Sequence, residues 1–158
     1  MIDLSVYIGG KKLKNPVLVS SGTFGFAKEY ANFYDLKLLG GIAVKGITLK
    51  PRKGNKPPRI METPAGILNS VGLENPGLDG FLEKELPFLR KYEVPIIANI
   101  SGNTIEEYSL MAEKLNEHVD FIELNVSCPN VKEGGITFGT KPESIYEVTK
   151  EVRKATNI

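Results

Sequence analysis

The 158-residue chain is poor in the residue types that most often mark a site by themselves. It has a single cysteine, Cys128, so no internal disulfide can form, and with no export signal the simplest compartment is the reducing cytoplasm. Its single histidine, His118, has no ligand neighbours at useful spacing, which argues against a zinc site; no metal is expected. Neither sign of charge is in excess: Lys+Arg 20 against Asp+Glu 19 leaves +1. A field suited to nucleic acid or to an anionic membrane surface is thereby excluded. No apolar run approaches a membrane span, and the N-terminal MIDLSVYIGG lacks the long apolar core of a signal peptide. A phosphate-binding GxxxxGK[ST] loop is absent, as is a GxGxxG at the first strand-to-helix turn. The chain is otherwise 41% hydrophobic, which fits a globular domain with a real core.

What is present is a repeated unit. Leu4 to Ile8 alternates like a strand, Gly9-Gly10 is a two-residue turn signal, and Lys11 to Leu13 makes a short partner, so a small hairpin opens the chain as a plug or cover. Three short all-apolar runs then recur: Val17-Leu18-Val19, Ile42-Ala43-Val44 and Ile96-Ile97-Ala98. A fourth strand is expected over Val119–Val126. Such runs suit strands buried on both faces of a parallel sheet. Between them, helical spacing is read over Ala27–Tyr34, over Leu78–Tyr92 with a kink or split at Pro87, and from Thr104 to about Glu117. In the last of these Thr104 and Glu107 form a capping box and Leu110, Met111 and Leu115 offer an apolar face. A final helix is expected over Pro142–Thr156, with Ile145, Tyr146, Val148 and Val152 apolar. Leu49 to Pro76 holds five of the ten prolines and no helical period. It reads as a long functional loop, too apolar around residues 64–73 to be a disordered tether.

The strand ends choose between the two architectures that this order allows. All four finish in small or polar residues: Ser20-Ser21-Gly22, Lys45-Gly46, Asn99 to Gly102, and Asn125 to Cys128. A barrel gathers its chemistry at many strand ends, whereas an open doubly wound sheet concentrates it at one switch point. The expected fold is therefore α/β: the N-terminal half of a (β/α)8 TIM barrel behind a small β-hairpin. Residues 1–158 would form one partial domain of four β/α units, since a full barrel needs about 250 residues.

Phe121 to Asn130, FIELNVSCPN, is the sharpest stretch. An apolar strand delivers an amide, a hydroxyl and a thiol to one point, where Pro129 ends the ladder. Lone cysteines are most often small buried hydrophobes. At a strand end beside Ser127 and Asn130, Cys128 is better read as a thiol that can reach the thiolate state and act as nucleophile or base. His118 falls at the opposite end of the strand, which removes a Cys-His pair and acyl transfer of the cysteine-protease kind. Asparagine is disfavoured in strands, so Asn99 and Asn125, at equivalent points of neighbouring strands, suggest a shared planar, amide-rich ligand. Lys45 is either a lysine reaching water or a fixed cation facing an anionic ligand or cofactor ring. Asn125-Val126-Ser127 matches a glycosylation sequon, which in a buried strand is read as chance.

These residues resemble the class 1 dihydroorotate dehydrogenases of pyrimidine synthesis. The matching stretches are SSGTFG (20–25), VKGIT (44–48), PPRIMETPAGILNSVGLENPG (57–77), IIANISG (96–102) and ELNVSCPNVKEGG (123–135), in family order along nearly the whole chain. The last looks most like class 1B, a catalytic subunit that passes electrons to NAD. The resemblance implies that Ser21, Lys45, Gly46, Asn99 and Asn125 contact FMN. It implies that Lys45, Asn69, Ser70, Val71, Gly72, Leu73 and Asn125 contact the pyrimidine, with Asn130 as a further contact. Cys128 would be the general base, taking a proton from C5 of dihydroorotate while a hydride leaves C6 for N5 of FMN. It also implies a homodimer of catalytic subunits and a partner subunit carrying FAD and a 2Fe-2S cluster, together a heterotetramer. In the family the flavin phosphate is held by loops after the later strands. The present chain alone is therefore expected to bind FMN weakly or not at all and to be inactive. The competing readings are a related flavin barrel, such as a dihydropyrimidine dehydrogenase domain or a dihydrouridine synthase, and a non-catalytic half-barrel that self-associates through its open sheet.

Overall fold

A computed structural model describes residues 2–127 and 136–158. Cys128, Pro129, Asn130 and Gly134-Gly135 lie outside the described residues. The chain opens with the expected hairpin, β1 (Val6–Ile8) against β2 (Lys11–Leu13), antiparallel. Gly9 and Gly10 have φ of 52° and 80°, the left-handed pair that a two-residue hairpin of the right twist requires. Leu13 is buried, Lys11 Nζ lies 3.3 Å from Asp120 Oδ1, and the same ammonium sits 5.6 Å from the centre of the Phe121 ring. The hairpin thus caps the N-terminal end of the fourth parallel strand.

Four short strands make one parallel sheet: β3 (Leu18–Val19), β4 (Gly41–Ala43), β7 (Ile96–Ile100) and β8 (Phe121–Leu124). Their spatial order is β3-β4-β7-β8, so each strand is added on the same side of the one before. A doubly wound sheet would reverse that order at its switch point; a barrel would not. The expected half of a (β/α)8 barrel is what the chain forms. Ile42, Val44, Ile96, Ala98 and Ile100 are buried, and Ile122 and Leu124 pack beside them, on the face covered by helices.

The connecting segments depart from expectation in instructive ways. Ala27–Tyr34 is not a helix: Ala27 has φ 68°, which breaks any right-handed run. In its place stand a four-residue turn of helix, α1 (Ser21–Phe24), and 3-10 turns at Tyr30–Asn32 and Leu36–Leu38. The loop over 49–76 contains a second antiparallel hairpin, β5 (Ile60–Thr63) and β6 (Gly66–Asn69), which the sequence reading missed. Both of its faces meet solvent, with Ile60, Met61, Ile67 and Leu68 all exposed, so no alternation marks it.

The helical run is divided just before Pro87, in keeping with the expected kink or split. α2 (Gly77–Gly80) runs through a π-helical turn at Phe81–Glu85 into α3 (Leu86–Leu89) and a 3-10 turn at Arg90–Tyr92. The wider turn absorbs the proline, which enters near the start of α3, where a missing N–H costs least. α4 (Ile105–Leu115) starts on Thr104, whose Oγ1 accepts from Glu107 N–H at 3.3 Å. The returning arm of the box is displaced by one residue: the Glu107 carboxylate accepts from Asn103 N–H at 2.7 Å. The buried face of α4 is Tyr108, Met111, Ala112 and Leu115, and Leu110 is exposed rather than facing the core. A short α5 (Ile136–Gly139) precedes α6 (Pro142–Ala155). On α6 Val148 and Val152 are buried, but Ile145 and Tyr146 are exposed, contrary to expectation.

Candidate functional site at the strand ends

Residues two apart in a strand share a face. Ala43, Ile97 and Phe121 are paired across β4, β7 and β8, and all stand on the face opposite the helices. Continuing by twos puts Asn99 and Asn125 on that same inner face at the C-terminal end; after β4 the count gains one residue, since Ile47 bridges Ile100, and Gly46 rather than Lys45 faces the pair. Asn99 and Asn125 are not at equivalent levels, however. Asn99 pairs with Glu123, and Asn125 lies two residues further on, its N–H donating to Ile100 O at 2.9 Å. This stagger brings the two amides together: Asn125 Nδ2 donates to Asn99 Oδ1 at 3.1 Å.

Gly46 closes the group. A Cβ there would lie 2.8 Å from Leu73 Cδ1, 3.0 Å from Asn99 Oδ1 and 3.5 Å from Asn125 Nδ2. Gly46, Leu73, Asn99 and Asn125, far apart in sequence, therefore meet at one point. Lys45 adjoins them. Its N–H donates to Gly25 O at 2.9 Å, tying the end of β4 to the turn after α1. Two clefts open on Lys45. One of about 490 Å³ runs along Gly22, Thr23, Gly25 and Tyr30, and one of about 550 Å³ reaches Arg52, Glu74 and Asn75. Ser21, first residue of α1, borders the first cleft through its neighbour Gly22.

The run Asn69 to Leu73 descends from the exposed hairpin into this place. Asn69 and Ser70 are exposed, Val71 and Leu73 are partly buried, and Gly72 is buried. Gly72 has φ 77°, and a Cβ on it would meet Asn55 at 2.7 Å, so the chain can pass there only as glycine. Asn55 in turn donates from Nδ2 to Ser70 O at 2.7 Å and from its backbone N to Val71 O at 3.0 Å.

Asn75 holds the lower end of the run. Its buried Oδ1 accepts from Thr48 N, Thr48 Oγ1 and Gly77 N, and its Nδ2 donates to Thr48 Oγ1 and to Leu73 O at 2.8 Å. Leu73, with φ 55°, is thereby fixed in a left-handed conformation that a branched side chain rarely adopts. The sequence reading did not single out Asn75; the Asn-Pro pair 75–76, a turn signal, was the clue available. Tyr108 was also missed: its hydroxyl donates to Asn125 O at 2.6 Å. His118 stands at the far, N-terminal end of β8, beside Arg90 at 3.4 Å, as expected.

The group joins a lysine at a strand end, two amides, and a glycine on which a methyl would press the Leu73 and Asn99 side-chain tips, chemistry suited to a planar, amide-rich ligand. Among the described residues no group of three or more His, Cys, Asp or Glu is placed to hold a metal ion. Among the same residues no helix is long and apolar enough to cross a membrane.

The dihydroorotate dehydrogenase family model matches residues 3–158. A dihydroorotate dehydrogenase B (NAD(+)) catalytic subunit of Thermoanaerobacter sp. (strain X514) is 61% identical over 156 residues, covering 98% of this chain and 52% of that protein. The subunit so described in Petrotoga mobilis is 57% identical over 155 residues, with 98% and 52% covered. The one in Geobacillus kaustophilus is 53% identical over 160 residues, with 100% and 51% covered. The chain thus spans about half the length of the curated relatives it matches. In fold it resembles a dihydroorotate dehydrogenase of Eimeria tenella crystallised with ferulenol, at TM-score 0.76 and 24% identity over 97% of this chain and 44% of that one. From the family match along almost its whole length, the chain belongs to the dihydroorotate dehydrogenase family.

Proposed function

We propose that the protein carrying this chain oxidises (S)-dihydroorotate to orotate in pyrimidine biosynthesis, with FMN seated over the strand ends. The observation that carries this reading is the Asn99–Asn125 amide pair packed against Gly46 and Leu73. Ser21, Lys45, Gly46, Asn99 and Asn125 would hold the flavin, and Lys45, Asn125 and the run Asn69 to Leu73 would hold the pyrimidine. A bound flavin supplies the hydride acceptor. The chain supplies placement and proton transfer. Lys45 lines two clefts at the end of β4, where an anionic substrate and an electron-rich ring would both need a cation. Asn125 Nδ2 is committed to Asn99, which leaves Asn125 Oδ1 to accept from a ring N–H and orient the pyrimidine. Gly72 and Leu73 bring backbone close enough to shape the floor. Cys128 would take the proton from C5; it lies outside the described residues, and its role rests on the sequence.

The relatives are described as catalytic subunits, which implies a further subunit. That partner would carry FAD and a 2Fe-2S cluster and pass electrons to NAD, in a cytoplasmic heterotetramer built on a homodimer of catalytic chains. The test uses the full-length, flavin-loaded protein with Cys128→Ser. General-base catalysis is worth about 10²–10⁴-fold, so turnover of dihydroorotate should fall by that order at neutral pH while flavin content is retained. Near-wild-type turnover would overturn the assignment.

A further inference from the structure

We infer that Tyr108, on the helix behind the site, is a positioning residue for Asn125, acting through the Asn125 backbone carbonyl rather than on the ligand. The inference rests on the reading above that Asn125 orients the pyrimidine.

β8 has a strand partner on one side only among the described residues. The Asn125 carbonyl faces β7, as its own N–H does, but it lies past Ile100, where β7 ends and supplies no ladder donor. The Tyr108 hydroxyl takes that place at 2.6 Å from Asn125 O. Asn125 is then held at three atoms: its N–H by Ile100 O, its carbonyl by Tyr108, and its Nδ2 by Asn99 Oδ1. Two of these bonds run along the sheet to β7. Among the described residues only the tyrosine is bonded to Asn125 from the helical layer, and it sets the tilt of the 125–126 peptide and with it the direction of the side chain.

Tyr108 is built for that task. It is fully buried on α4, one turn from the Thr104 cap, so the helix start fixes its height. Its ring meets Phe138 edge-on, with centroids 5.7 Å apart and planes at 88°. A Cβ on Gly102 would lie 2.8 Å from Tyr108 Cδ2, so the ring passes over that glycine at contact distance. A Cβ on Gly139, next to Phe138, would come 2.2 Å from Val126 O. Ring, Gly102, Phe138 and the Val126 carbonyl form one close-packed block around the peptide that follows Asn125. Packing alone would be served by phenylalanine; the hydroxyl is the part that reaches the site.

The test is a double-mutant cycle in the full-length flavin-loaded protein, read by orotate titration of the flavin absorbance. Tyr108→Phe keeps the ring and removes the donor. It should fold, keep its flavin, and bind orotate about tenfold more weakly, because the Asn125 side chain is no longer held ready for the ring and must be ordered on binding. In an Asn125→Ala background the same change should cost less than twofold, because the side chain that Tyr108 directs is gone. Orotate binding by Tyr108→Phe within twofold of wild type would overturn the inference. So would equal losses in the two backgrounds, or a variant that fails to fold, since either makes the hydroxyl a purely structural element. A wild-type flavin spectrum that ignores orotate would instead sink the functional reading, and this inference with it.

Discussion

Asn99 and Asn125 show how a residue can be legible while its geometry is not. Their type, in strands that disfavour it, pointed to a ligand. The two-residue stagger that joins them depends on the register between β7 and β8, which no single strand encodes. Gly46 was likewise legible as a small residue at a strand end, but not as the contact point of Leu73 and both amides. Its φ is not left-handed, so Gly46→Ala should leave the fold intact while the new methyl pushes the Asn99 and Leu73 side-chain tips aside. Orotate affinity in the full-length protein should fall by roughly tenfold, about 1.4 kcal/mol, with little change in melting temperature. Asn75 is the opposite case. Asn75→Ala strips partners from the buried Thr48 and Gly77 N–H groups and from Leu73 O, while the Thr48 hydroxyl keeps Lys50 O. Each buried group left unpaired costs about 1–3 kcal/mol, so denaturant unfolding should show a loss above about 3 kcal/mol.

Among elements, helices were read from period and caps, and the errors follow from what overrides period. α4 is helical where the spacing puts it, but its buried face is centred on Tyr108 and Ala112 rather than Leu110, because the sheet, not hydrophobicity alone, decides which stripe turns inward. Ala27 adopts a left-handed φ for which its residue type gives no hint. The β5–β6 hairpin has no dry face and so no pattern. With so little buried, its amides should exchange with deuterium far faster than those of β7, whose strand is paired on both sides; equal protection of the two would contradict the observed exposure.

The start of α4 has a pH signature. The Thr104 hydroxyl, and after it the N–H of Glu106 itself, hold the Glu106 carboxyl below its ordinary value of 4.5. A depressed carboxylate stabilises the fold above its unfolded pKa and loses that contribution as pH falls through its folded pKa. Thr104→Ala, which removes the cap, should cost about 1 kcal/mol near neutrality. That cost should shrink below about pH 4, measured by urea unfolding at both pH values.

At the scale of the molecule, the half-barrel was legible because four strand ends repeat one chemistry, and the β3-β4-β7-β8 order bears that out. The described sheet has β3 and β8 as edges, and its inner face carries Asn99 and Asn125 at the strand ends. Cys128 and the chain's relation to the other half of its relatives lie beyond these strands. The central claim is that these strand ends form a flavin and orotate site. Its most direct measurement is titration of the full-length flavin-loaded protein with orotate and, separately, with uracil, followed in the visible flavin band. The account predicts a saturable shift with orotate, little with uracil, and a large loss of orotate affinity in Asn125→Ala. A shift with uracil but not orotate, or an orotate affinity indifferent to Asn125, would contradict it.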